Sequence, residues 1–126
     1  MSYQLIYNHL TKDEITLFYL LCHESYKTGS AEARLKITDF TVELHGTNQQ
    51  WTKMVMDMMN HILTVKGYED INGIRQYYCF FQRYRYVIDT KEILFRISDD
   101  AYEVVPNICR DMTLDEMVSI ANMKGK

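Results

Sequence analysis

The sequence predicts an α+β domain, on three observations. Apolar residues recur at helical spacing in residues 11–25 and 47–63. Residues 63–98 instead are dense in β-forming side chains, alternate with period 2 in Ile93–Ser98, and carry two turn signals. Helical spacing then returns to the end of the chain. At 126 residues with 47% apolar content and one proline, the chain is expected to be a single domain, residues 1–126, with a core of its own.

The opening SYQLIYNH is short and partly apolar, readable as an edge strand or an arm. Thr11 and Glu14 then form a capping box, with Asp13 and Glu14 in a first turn where the helix dipole favours acids. Ile15, Phe18, Tyr19 and Cys22 share one side, so a helix is predicted from about Asp13 to Ser25, with Lys27 to Ala33 as a loop. Arg34 to Ile37 alternates as a small strand, and Thr38-Asp39 start a two-turn helix with Phe40, Val42 and Leu44, closed by Gly46.

The best-formed amphipathic helix is Thr47 to Leu63, around which the rest is expected to be organised. Trp51, Met54, Val55, Met58 and Ile62 form its stripe, and Thr47 with Gln50 caps it. Met56 and Met59 fall off that stripe, suiting either a repacking surface or an irregular core. Strands are predicted at Leu63–Asp70, Ile74–Ile88 and Ile93–Ser98, joined by Asn72-Gly73 and by Asp89–Glu92, giving one three-stranded antiparallel sheet. Asp99, Asp100 and Glu103 begin a short helix that Pro106 should interrupt, and Thr113 with Glu116 caps a final helix. A helix-turn-helix core, a wing sheet and a C-terminal helix in this order make a winged helix.

Composition narrows the function. Cys22, Cys79 and Cys109 are odd in number, widely spaced and not preceded by a signal-peptide pattern, which points to reduced thiols and a cytoplasmic protein. No apolar run approaches the roughly 20 residues of a membrane span. His9, His23, His45 and His61 lack metal-ligand spacing with the cysteines, and no nucleophile elbow or glycine-rich phosphate loop occurs. No metal, cofactor, small-molecule substrate or catalytic residue is therefore expected.

Net charge is −3, yet Arg75 to Arg96 holds five Lys/Arg against two acids, while residues 97–126 hold six acids and three bases. A phosphate-bearing partner would meet the sheet. Arg83 and Arg85, alternating with Tyr84 and Tyr86, can face phosphates, or can be the charges an edge strand carries against aggregation. Arg75 and Lys91 mark the two flanking turns. On the 47–63 helix, Asn48, Gln49 and Lys53 can pair with bases or phosphates, or form a solvated face with Asp57 and Asn60.

Five segments carry a family resemblance: LTKDEITLFYLL, KITDF, the long helix ending HILTVKG, YYCFFQRYRYVIDTKEILFRIS and MTLDEMVSIANMKGK. Together, from about Leu10 to Lys126, they resemble the N-terminal domain of bacterial plasmid replication initiators built from two tandem winged helices. The resemblance implies an initiator domain that pairs into a homodimer and contacts the backbone of double-stranded origin DNA. It also implies that residues 113–126 are a linker helix toward a second winged-helix domain. The alternative is a winged helix used purely for protein contact in a regulatory or chromosome-maintenance complex, favoured by the acidic total and the aromatic sheet.

Overall fold

Thr11 opens the first helix as expected: its N–H donates to Glu14 Oε1 (2.9 Å) and its Oγ1 accepts from Glu14 N–H (3.2 Å). The computed structural model describes residues 4–6, 10–37 and 47–111. In chain order these form β1 (Gln4–Ile6), α1 (Lys12–Thr28), β2 (Glu32–Lys36), α2 (Asn48–Ile62), β3 (Lys66–Ile71) and β4 (Ile74–Cys79). Then follow β5 (Phe81–Val87), β6 (Glu92–Ile97), α3 (Asp99–Tyr102) and α4 (Val105–Asp111). The short helix predicted between Thr38 and Gly46 and the linker helix predicted at residues 113–126 lie outside the described residues.

The organising helix is α1, not α2. Helix α1 runs past its predicted end to Thr28, where Gly29 takes φ +70° and donates to the carbonyls of Ser25 and Tyr26. Ile15, Leu17, Phe18, Leu21 and Cys22 are all buried, so more than one face of α1 is covered. The Phe18 ring meets Tyr19, Phe80 and Phe81 edge-on at centroid distances of 5.3, 4.8 and 5.8 Å. A helix buried on several sides shows no clean polar face, so its apolar spacing does not mark it as central.

Helix α2 has its predicted capping box, Thr47 N–H to Gln50 Oε1 (2.9 Å) and Gln50 N–H to Thr47 Oγ1 (3.2 Å). Trp51, Val55 and Ile62 enter the core, and so does Met59, fully buried, while Met54 and Met58 are only half-buried. The buried face thus follows 51, 55, 59 and 62, rotated from the expected stripe, and of the off-stripe pair only Met56 is exposed. Glu14 is buried, and its Oε2 lies 2.7 Å from His61 Nδ1, which ties the start of α1 to the end of α2.

The predicted single sheet is two. One sheet has the antiparallel order β1-β3-β4 and the other β2-β6-β5. The segment predicted as one strand, Ile74 to Ile88, breaks at Phe80, which is fully buried; its N–H donates to Val65 O (3.1 Å) and its carbonyl accepts from Ser98 N–H (2.9 Å). Consecutive Phe80 and Phe81 are both core residues, and a straight strand would expose one of them. Asn72 and Gly73, at φ +52° and +79°, close the β3–β4 hairpin as their sequence demands. Gly67 pairs with Tyr78 across that hairpin, and the Tyr78 ring covers the space a Cβ would fill.

The edge strand at the start of the chain is β1, paired with β3. The predicted loop after α1 is shorter than expected, since β2 begins at Glu32. Pro106 does not break the C-terminal helix; it sits in the first turn of α4, where a missing N–H costs little, and the break falls at Glu103 and Val104.

Truncating Phe18 to Ala should cost about 3–5 kcal/mol, read as a lower urea midpoint at unchanged slope. His23 gives a second expectation. Burial lowers its pKa below 6.5, and among the described residues its Nε2 has no hydrogen-bond partner. A base depressed in the fold supports stability above its unfolded pKa, so stability should fall as pH drops below about 6.5, and fall less in His23→Phe.

Candidate nucleic-acid interface

Strand β5 begins with a conflict of parity. Phe81, Arg83 and Arg85 are two residues apart, and strict alternation would put all three on one face, yet Phe81 is core. A register shift between Phe81 and Arg83 resolves it: Phe81 pairs with Ile97, Arg83 with Arg96, and Gln82 is the extra residue of a β-bulge. Beyond the bulge Arg83, Arg85 and Val87 are exposed while Tyr84 and Tyr86 turn inward, half-buried. Tyr84 Oη donates to Asn60 Oδ1 of α2 (3.3 Å), so that ring braces the helix.

The outer face of this sheet consists of three rungs across β2, β6 and β5: Glu32–Arg96–Arg83, Arg34–Leu94–Arg85 and Lys36–Glu92–Val87. Five cations stand there against two acids. Glu32 Oε1 binds Arg83 Nη2 (2.7 Å) and Arg96 Nη1 (3.5 Å). Arg96 also donates to Gln82 Oε1 (2.7 Å) and to Asp99 Oδ1 (3.3 Å), so it is committed within the protein. Arg34 Nη1 lies 3.8 Å from Glu92 Oε2. Arg85 is the one guanidinium on this face with no partner among the described residues. Glu32, Arg34, Arg83, Arg85 and Leu94 line a shallow dish of about 440 Å³.

The other predicted contacts lie elsewhere. Gln49 and Lys53 are on the exposed side of α2, beside Met56, Asp57, Asn60 and Ile88, lining a groove of about 540 Å³ next to the β5–β6 turn. Lys53 Nζ is held by Asp57 Oδ2 at 2.8 Å, which raises its pKa and leaves that helix face without surplus charge. Asn48 opens α2, but its side chain lies outside the described residues. Lys91 sits in the β5–β6 turn at φ +57°. Arg75 belongs to the β3–β4 hairpin: it forks onto Asp70 (2.8 and 3.1 Å), lies 4.5 Å from the Tyr68 ring centroid, and holds the Asp70 carboxyl below its ordinary pKa. Only Arg83 and Arg85 of the predicted set are brought together on one charged surface. Arg34, Lys36 and Arg96 complete that surface and were not foreseen as site residues, although the alternation in Arg34-Leu35-Lys36 was the signal for two of them.

The cysteines are poor nucleophiles where burial acts on them. It raises Cys22 well above its ordinary value and pushes Cys109 up to about 11. Among the described residues, no cluster of His, Cys, Asp and Glu is placed to hold a metal, and no helix is long and apolar enough to cross a membrane.

Residues 1–126 match the family described as the WH1 domain of initiator replication proteins. The chain belongs to that replication-initiator family. Among solved structures, the WH1 domain of MSBI1.176, a replication protein isolated from a multiple sclerosis patient, superposes with a TM-score of 0.57 at 18% identity. That match covers 87% of this chain and 86% of the other. Likeness at this identity establishes the fold, a winged helix. No curated protein matches the sequence.

Deleting Gln82 should cost more than about 3 kcal/mol, because it turns either the arginines or the phenylalanine to the wrong face. Gln82→Ala keeps the extra residue and should cost less than about 1.5 kcal/mol; urea unfolding of the two variants checks the difference.

Proposed function

We propose that this chain is the part of a replication initiator that contacts the phosphate backbone of double-stranded origin DNA and pairs subunits. The observation that carries the first half is the outer face of the β2-β6-β5 sheet, which gathers Arg34, Lys36, Arg83, Arg85 and Arg96 on one surface of a chain whose net charge is −3. Arginines on a regular strand present planar forks to phosphate oxygens, and such contacts position a duplex without reading its sequence. Gln49 and Lys53 on α2, which packs against the inner side of β5, and Lys91 at the wing turn supply weaker polar contacts outside that face. Arg75 is committed to Asp70 and contributes least.

Subunit pairing is supported by the β3–β4 hairpin. Ile71 and Ile74, a cross-strand pair on one face of the hairpin, are 48% and 68% exposed, Tyr77 on the other face is 56% exposed, and among the described residues β4 is the outer strand of its sheet. A second copy of this hairpin can cover those side chains and satisfy that edge. The same features suit the second reading, a module that binds only protein. What favours the DNA reading is that Arg34, Arg83, Arg85 and Arg96 lie on the other sheet, separate from Ile71 and Ile74.

Binding to a duplex of about 20 base pairs should weaken linearly in log–log salt titrations. Arg83→Ala and Arg85→Ala should each lower the slope by about 1, whatever the duplex sequence. Absence of duplex affinity at low salt from a folded, concentration-dependent dimer would leave the protein-only reading. Ile74→Lys should shift the dimer toward monomer in sedimentation equilibrium.

A further inference from the structure

The dish on the basic face has a more specific chemistry than a general positive charge. Across the middle rung Arg34 and Arg85 flank Leu94, their Cα atoms two strand spacings or about 10 Å apart. Both side chains are long enough to converge on one tetrahedral anion above Leu94. Neither is strongly engaged: Arg85 has no partner among the described residues, and Arg34 makes only the 3.8 Å approach to Glu92. One rung away, Arg83 is held by a single carboxylate, Glu32, at 2.7 Å. That carboxylate lines the same dish and is half-exposed.

We propose that this dish is a phosphate-binding site formed by Arg34, Arg83 and Arg85, and that Glu32 is its built-in competitor, displaced from Arg83 when a phosphate enters. The proposal deepens the DNA reading above and rests on it for the source of the phosphate. The oxygens of a phosphate are tetrahedrally splayed and can engage several guanidinium forks together, whereas Glu32 satisfies one edge of Arg83 and reaches Arg96 only at 3.5 Å. Glu32 therefore keeps Arg83 oriented in the free protein and yields to a ligand that also engages Arg34 and Arg85. Arg96, held in addition by Gln82 and Asp99, stays in place and retains Glu32 after the exchange. The ligand chemistry is a phosphate group, either a phosphodiester of duplex DNA or a free phosphate.

Two measurements on the full chain test this. In the first, inorganic phosphate is titrated at constant ionic strength while the arginine Nε–Hε signals are followed by NMR. Saturable shifts at Arg34 and Arg85 are expected, with Arg83 joining at lower phosphate in Glu32→Gln; no shift at Arg34 and Arg85 overturns the site. In the second, affinity for the duplex is compared among Glu32→Gln, Arg34→Ala, Arg85→Ala and the control Glu103→Gln, which removes a negative charge away from the dish. Glu32→Gln should bind about three- to tenfold tighter and the two arginine variants weaker, with Glu103→Gln near wild type. Equal gains in Glu32→Gln and Glu103→Gln overturn the competitor role. Duplex binding untouched by all these variants sinks the dish and leaves the DNA reading standing on other residues. Phosphate shifts without any duplex affinity sink the DNA reading and keep the dish, with free phosphate as its ligand.

Discussion

One added residue in β5 decides what the second sheet can present to a partner. Phe81 must reach the core, where its ring packs against Phe18, Phe80 and Phe95. Without the bulge, that requirement would carry Arg83 and Arg85 inward with it, and burying two guanidinium groups without partners costs several kcal/mol each. Gln82 absorbs the conflict by stepping the strand over by one residue, and its side chain then accepts from Arg96. The aromatic core and the charged face therefore coexist on one strand only through this irregularity.

The charge pattern follows from the same geometry. Among the described residues, several acids cap helices or pair locally: Glu14 under the first turn of α1, Asp57 on Lys53, Asp70 on Arg75. What remains on the outer face of the second sheet is a positive surplus, and screening over roughly 8–10 Å makes that local surplus, not the total, the field a nearby phosphate meets. Net charge alone would have argued against a nucleic-acid partner. Its distribution over three rungs argues the other way.

Much of the fold was legible because local chemistry and tertiary demand agree. Thr11–Glu14, Thr47–Gln50 and Asn72-Gly73 each specify a backbone conformation within a few residues, and each is found. The break at Phe80 and the bulge at Gln82 were not legible, since both arise from which side of a distant sheet the core lies on, and a run of β-formers carries no mark of that. The centrality of α1 was hidden for a related reason: burial on several sides erases the polar face that makes a helix easy to rank. For the interface, Arg83 and Arg85 could be seen as a pair, but Arg96 joins them through the register of the β5–β6 hairpin, and Arg34 and Lys36 only through the pairing of β2 with β6, far apart in sequence.

Phe80 has a mechanical meaning as well. Its N–H is bonded toward the first sheet's flank and its carbonyl toward the second, so β4 and β5 turn about a common pin set in the aromatic core. The point where one sheet hands over to the other is thus anchored twice, by a ring in the aromatic core and by backbone bonds to both sides.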